Sequence, residues 1–131
     1  MSHAYIEGRL FDVKTTKELP FGEYDKCTFK GLNFSNLDVS QYIFTDCEFI
    51  DCNLSLVKVR HTAFRKVKFE GCKIMGINFD DCNNFGLSFG FSTSNITNCT
   101  FTTLFLTKTK FEVCDIHDCD FTQTNLSESS F

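Results

Sequence analysis

Eight cysteines and three histidines are the residues of this 131-residue chain best suited to chemistry. Thiols at such density usually mean a disulfide framework or a tetrahedral zinc site. The run Cys114-Asp-Ile-His117-Asp-Cys119 has the composition of a ligand cluster. No Cys-x-x-Cys occurs, and no nucleophile elbow, phosphate loop, His-Glu-x-x-His or dinucleotide fingerprint. The cysteines instead share one slot of a repeat. Counted from a central apolar residue i, Cys27, Cys47, Cys52, Cys72, Cys82, Cys99, Cys114 and Cys119 all stand at i−2. Chelation needs side chains that converge on a point, whereas a fixed slot spreads them around and along a core. They are therefore expected to be small buried thiols filling one packing position.

The repeat is five residues long. Its centres run Tyr24, Phe29, Phe34, Val39, Phe44, Phe49, Leu54, Val59, Phe64, Phe69, Ile74 and Phe79. A helix repeats near 3.6 and a strand at 2, so a sustained period of five belongs to neither. Asn84 would be the next centre and is polar. From Phe91 through Ile96, Phe101, Leu106, Phe111, Ile116, Phe121 and Leu126 to Phe131 the register is shifted by two. The segment 80–90 thus holds a two-residue insertion, rich in the Gly and Asn that suit a tight turn or bulge. Loops on rigid scaffolds often carry function. Residues 1–23 lie outside the pattern and are expected to cap the array 24–131. Tyr5, Ile6, Leu10, Phe11 and Val13 would form an irregular strand over the first repeats, with Pro20 and Gly22 turning into them.

Composition sets the broad class. The chain suffices for one domain, contains 17 Phe and no Trp, and has no apolar run near the ~18 residues that span a bilayer. No signal segment opens it, so the cytoplasm is the expected compartment and no membrane is involved. A net charge of −4 argues against direct nucleic-acid binding.

Consecutive five-residue units with Leu or Phe at the centre, a small residue two before it and Asp, Asn, Ser or Thr between resemble the pentapeptide-repeat family. Phe29-Lys-Gly-Leu-Asn-Phe34-Ser-Asn-Leu and Asp120-Phe121-Thr-Gln-Thr-Asn125-Leu126-Ser match its pattern closely. The resemblance implies an all-β fold, a right-handed quadrilateral parallel β-helix of about five coils, with four pentads to a coil. Side chains at i and i−2 would point inward and those at i−1, i+1 and i+2 outward. The slip at Asn84 and the bulky Leu32, Leu37, Tyr42 and Ile77 at i−2 depart from the pattern. Phe29, Phe49 and Phe69 would form one column, and Tyr24, Phe44 and Phe64 another. Cys27 would lie under Cys47, Cys52 under Cys72, and Cys99 under Cys119. His117 would face away from Cys114 and Cys119, which dissolves the apparent cluster, so no metal or cofactor is expected. A filled interior leaves no substrate cavity, so no enzyme is expected either.

Function then falls to the outer walls. The Qnr and MfpA-type members of the family resemble duplex DNA in width and charge and bind bacterial type II topoisomerases in its place. By that resemblance the partner would be DNA gyrase or topoisomerase IV, and the role quinolone resistance or toxin immunity. Asp46, Glu48, Asp51, Asp80, Asp81, Asn83, Asn84, Glu112, Asp115 and Asp118 are the candidate partner-binding residues. A basic belt of Lys58, Arg60, Arg65, Lys66, Lys68 and Lys73 opposes a phosphate mimic. A generic interaction or scaffold module with another partner is the alternative. Ile43, Ile50, Leu56, Met75 and Phe105 fall at outward positions as a second candidate surface. Phe131 is a centre with nothing after it, which suggests a truncated or short-form protein, or a homodimer through the open coil end.

Overall fold

The computed structural model describes residues 3–13 and 19–131. Successive pentads form successive sides of a square. Side one stacks Ala4–Glu7, Gly22–Asp25, Ile43–Thr45 and Ala63–Arg65. Side two stacks Leu10–Phe11, Thr28–Lys30, Glu48–Ile50, Val67–Glu70, Phe89–Ser92 and Phe111–Glu112. Side three stacks Lys73–Met75, Asn95–Thr97 and Asp115–His117. Side four is held by isolated bridges, among them Asp38 to Lys58, Asn78 to Thr100 and Thr100 to Asp120. The pairings are parallel throughout, and the result is a β-helix of about five coils, the fold the pentads imply.

Stacking follows from register. Phe29 pairs with Phe49 and Phe49 with Phe69, so identical slots lie directly above one another. Along side two the rings of Phe11, Phe29, Phe49, Phe69, Phe91, Phe111 and Phe131 stack with centroid separations of 5.1, 4.7, 5.2, 5.1, 5.1 and 4.8 Å. These lie in the range that aromatic pairs prefer. A parallel column on side four joins Phe79, Phe101 and Phe121 at 5.0 Å each. Burying one such ring contributes roughly 1.5–3 kcal/mol, so these columns supply much of the stability.

Two coils depart from twenty residues. In the first, Ile6 pairs with Tyr24 and Phe11 with Phe29, a coil two residues short. Its strands are two regular ones on adjacent sides, not one irregular strand. In the coil through Asn84, Phe89 pairs with Val67 and Phe91 with Phe69, a coil two residues long. Asn84, Phe85 and Gly86 are exposed, and the ring of Phe89 packs 6.1 Å from Phe64 and 5.4 Å from Phe79. Phe89 thereby fills the volume that a polar Asn84 leaves.

Corners and thiols complete the design. The i+2 residue takes a left-handed backbone at nearly every corner, as at Lys26 (φ 56°), Asp46 (φ 53°), Leu56 (φ 59°) and Val113 (φ 54°). That conformation turns the chain through the square at a cost of about 1–2 kcal/mol for a non-glycine residue. The i−2 side chains do more than fill space. Cys47 Sγ donates to the Tyr24 carbonyl at 3.2 Å, Cys52 to Phe29 at 3.3 Å and Cys72 to Phe49 at 3.2 Å. Thr62 and Thr124 make the same bond from their hydroxyls, each at 2.7 Å. The bulky Tyr42 is accommodated by donating its hydroxyl to the Leu19 carbonyl at 2.7 Å.

Candidate protein-binding surfaces

With a ring-filled interior, the charged side chains among the described residues lie on the outer walls. Asp46 and Asp51 occupy corners, with positive φ, and Glu48 lies between them on side two. Glu48 is paired in register with Lys68, so this acid has a base one coil away. The corner between sides one and two carries Lys26, Asp46, Lys66, Lys108 and Glu128, in which sign alternates up the lower coils. Asp46 and Glu48 therefore belong to a mixed wall, with the basic belt beside them.

Asp80 and Asp81 lie at the end of side four in a single turn of 3-10 helix, Phe79–Asp81. Asp80 accepts the hydroxyls of Thr100 and, at 3.0 Å, of Thr102 one coil above. Asp81 shares an open cleft with Arg60, His61, Asn83 and Asn84. Asn83 Oδ1 accepts the Phe85 N–H at 2.9 Å, which shapes the entry to the loop. The same local bond recurs from Asn33 to Ser35, Asp38 to Ser40 and Asp120 to Thr122, so Asn and Asp at i−1 have a structural job at these turns. At Asp38 and Asp120 the hydroxyl and N–H of the partner hold the carboxyl below the usual range.

Asp115, Asp118 and Asp120 gather at the junction of sides three and four in the last coil. Below them stand Asn95, Thr97, Asn98, Thr100 and Thr102, and one coil lower Asn78 pairs with Thr100 while Asp80, at the far end of side four, accepts the Thr100 hydroxyl. No Lys or Arg interrupts this edge from residue 94 to 104 or from 114 to 125. Glu112 lies apart from it on side two, paired with Ser92. The ten candidates thus divide among three places.

The thiols are structural in placement. Burial pushes the Cys47 and Cys82 thiols up to about 12 and the Cys99 thiol up to about 11. The eight cysteines are unbridged, and no group of three metal-ligating side chains gathers among the described residues. His117 is exposed on side three while Cys119 donates inward to the Ile96 carbonyl at 3.5 Å.

The sequence matches the pentapeptide repeat region family over residues 23–93, more than half of the chain. The chain belongs to the pentapeptide-repeat family. Comparison with curated proteins finds no match. Among solved structures it is similar to full-length QnrB1, a plasmid-mediated fluoroquinolone resistance protein, at 17% identity and a TM-score of 0.45, covering 98% of this chain and 75% of that one. It is also similar to HetL, involved in heterocyst differentiation regulation in the cyanobacterium Nostoc sp. strain PCC 7120, at 13% identity and a TM-score of 0.45, covering 83% and 53%. A third is Rfr23 from the cyanobacterium Cyanothece 51142, at 11% identity and a TM-score of 0.41, covering 98% and 85%. Pentapeptide-repeat proteins are generally non-catalytic modules, and no catalytic family is indicated.

Several surface residues of this pentapeptide-repeat chain escape a linear reading. Phe85, 78% exposed at the loop tip, stands in no pentad slot. Lys108 and Lys110 belong with Lys66 and Lys68 on side two, but the two-residue insertion hides their alignment. The signal was present as Lys66-Val-Lys68-Phe-Glu70 and Lys108-Thr-Lys110-Phe-Glu112. Of the outward apolar set, Leu56 lies against Gly76 at one corner and Phe105 is 67% exposed on side one.

Proposed function

We propose that the chain is a non-catalytic, cytoplasmic protein-interaction rod that presents differently charged walls to a protein partner. The observation that carries this reading is the difference between walls: a side two on which lysines and glutamates are interleaved, against an acidic edge of Asp115, Asp118 and Asp120. Rigid walls of this kind hold the backbone of each charged residue at fixed spacing, so binding carries the cost of side-chain ordering and not of backbone ordering. The test is a binding titration with cross-linking to identify the partner. Charge reversal on one wall should weaken the complex while leaving the melting temperature unchanged, and equal loss from both walls or neither would reject a defined face.

The acidic edge supports a finer reading, a DNA-mimicking modulator of bacterial DNA gyrase or topoisomerase IV. Carboxylates at fixed intervals with no intervening base would enter a groove built for phosphates. A gyrase supercoiling assay with and without a quinolone tests it. Protection lost in Asp115→Asn/Asp118→Asn/Asp120→Asn is the expected outcome, and no effect at micromolar protein rejects it in favour of a general scaffold.

A further inference from the structure

Side two carries a trough. Its outward residues form three successive rows: Lys66, Lys68 and Glu70 below, Ser88, Gly90 and Ser92 in the middle, and Lys108, Lys110 and Glu112 above. Register fixes the rows, since Gly90 pairs with Lys68, and Ser92 with both Glu70 and Glu112. The two charged walls repeat the same order, Lys-x-Lys-x-Glu, along the strand direction. They stand two strand spacings apart, about 10 Å, and along each wall Lys68 to Glu70 and Lys110 to Glu112 are about 7 Å apart, with Lys66 and Lys108 at the corner before them. A cleft of about 600 Å³ over the four lysines adjoins one of about 360 Å³ over the two glutamates, with Lys68, Gly90 and Lys110 lining both. Asp46 and Glu48 line the first cleft from one coil outside the lower wall. None of the six wall charges makes an ion pair among the described residues.

The floor is bare without a backbone reason. Gly90 has no left-handed φ, and a Cβ there would meet nothing closer than the Lys110 carbonyl oxygen at 3.8 Å, an ordinary contact. Glycine inside a strand weakens it and marks places where another backbone comes close. Here the absent side chain faces the trough.

We propose that this trough binds an extended acidic peptide of a partner protein, with carboxylates at alternate positions on the four lysines and a basic side chain between Glu70 and Glu112. Alternate side chains of an extended strand recur about every 7 Å, the interval from Lys68 to Glu70 and from Lys110 to Glu112, and the corner lysines Lys66 and Lys108 meet the peptide's next acidic position. A walled width of about 10 Å admits one strand and not a helix with its side chains. A nucleic-acid strand is disfavoured because its phosphates would run onto Glu70 and Glu112, and the floor offers bases no exposed ring, Phe89 and Phe91 being buried. The inference deepens the interaction-rod reading and rests on it, specifying the chemistry of a partner at a wall distinct from the acidic edge.

The test is a fluorescence-polarisation titration of the full chain at low salt with the labelled peptide Ac-Thr-Glu-Thr-Glu-Thr-Arg-Thr. Controls are a scrambled peptide of equal composition that breaks the alternation, and single-stranded oligo(dT). Saturable binding is expected, weakened about tenfold or more by Gly90→Val, by Lys68→Glu/Lys110→Glu and by the scramble. Each variant is checked by its circular-dichroism melt, and the lysine pair, fully on the surface, keeps the test decisive if Gly90→Val does not fold. Absence of saturable binding, equal binding of the scramble, or preference for oligo(dT) overturns the trough assignment. The gyrase and partner titrations read the acidic edge independently, so a failed trough and a failed interaction rod give different results.

Discussion

Cys47 and Tyr24 lie on adjacent coils, and the Cys47 thiol donates to the Tyr24 carbonyl oxygen at 3.2 Å. The bond reaches from an i−2 slot to the central carbonyl of the preceding pentad one coil below, and Thr62 makes the equivalent bond to Val39 at 2.7 Å. Leu32, Val57, Val67 and Ile77 fill the same slot without a donor, so the bond is not required there, but it gives Cys and Thr a role that needs neither chelation nor catalysis.

Removing that donor has a measurable consequence. Cys47→Ala leaves the Tyr24 carbonyl without this donor and should lower stability by about 1 kcal/mol or more. Cys47→Thr, which copies Thr62, should stay near the parent. Guanidinium unfolding of the three proteins in reductant decides between this role and simple packing, for which both variants would lose stability.

The raised thiols link stability to alkaline pH. A thiol whose folded value is lifted prefers its neutral form, so its contribution is complete below the unfolded value of about 8.5 and is lost as pH climbs toward the folded value. For Cys47, Cys82 and Cys99 the window runs from there to about 11–12. The unfolding midpoint should be level from pH 6 to about 8 and fall through pH 9–11. Cys47→Thr should shallow that fall.

Phe69 stands in the middle of the side-two column, 5.2 Å from Phe49 and 5.1 Å from Phe91. Phe69→Ala should cost about 3–5 kcal/mol. Phe85→Ala, at the exposed loop tip, should change stability by less than about 0.5 kcal/mol. Thermal melts of the pair distinguish column from surface.

Val113 holds φ 54° while 85% exposed. A β-branched residue in that conformation is strained and here receives little burial in return. Val113→Asn should raise stability by up to about 1 kcal/mol, seen as a higher melting temperature. An unchanged or lower value would show that the strain is relieved locally.

The fold was legible in the chain because Phe29, Phe49 and Phe69 sit in matching slots that no helix or hairpin would produce. What was not legible depended on neighbours in another coil. Ile6 and Phe11 are five apart like any two centres, yet their pairing with Tyr24 and Phe29 in a short coil leaves no regular spacing to read. Phe89 replaces Asn84 in the core from a slot nominally two residues before a centre. The carbonyl that Cys47 meets is 23 residues away. Among the candidate residues, Asp115 and Asp118 lie close along one edge of the last coil, a placement that follows from the stacked corner and not from the list of acids. Asp80 is bonded to Thr102 at 3.0 Å and Asn83 to Phe85 at 2.9 Å, ties set by the folded wall and the local turn.

Because Phe89 re-enters the interior directly after Ser88, the coil above is indifferent to how many residues separate Asn83 from Phe89. Lengthening that excursion would cost only closure entropy, on the order of 0.6 kcal/mol per doubling. The position is a ready grafting point, where a new recognition arm could be inserted or evolve while the stack beneath it stays unaltered.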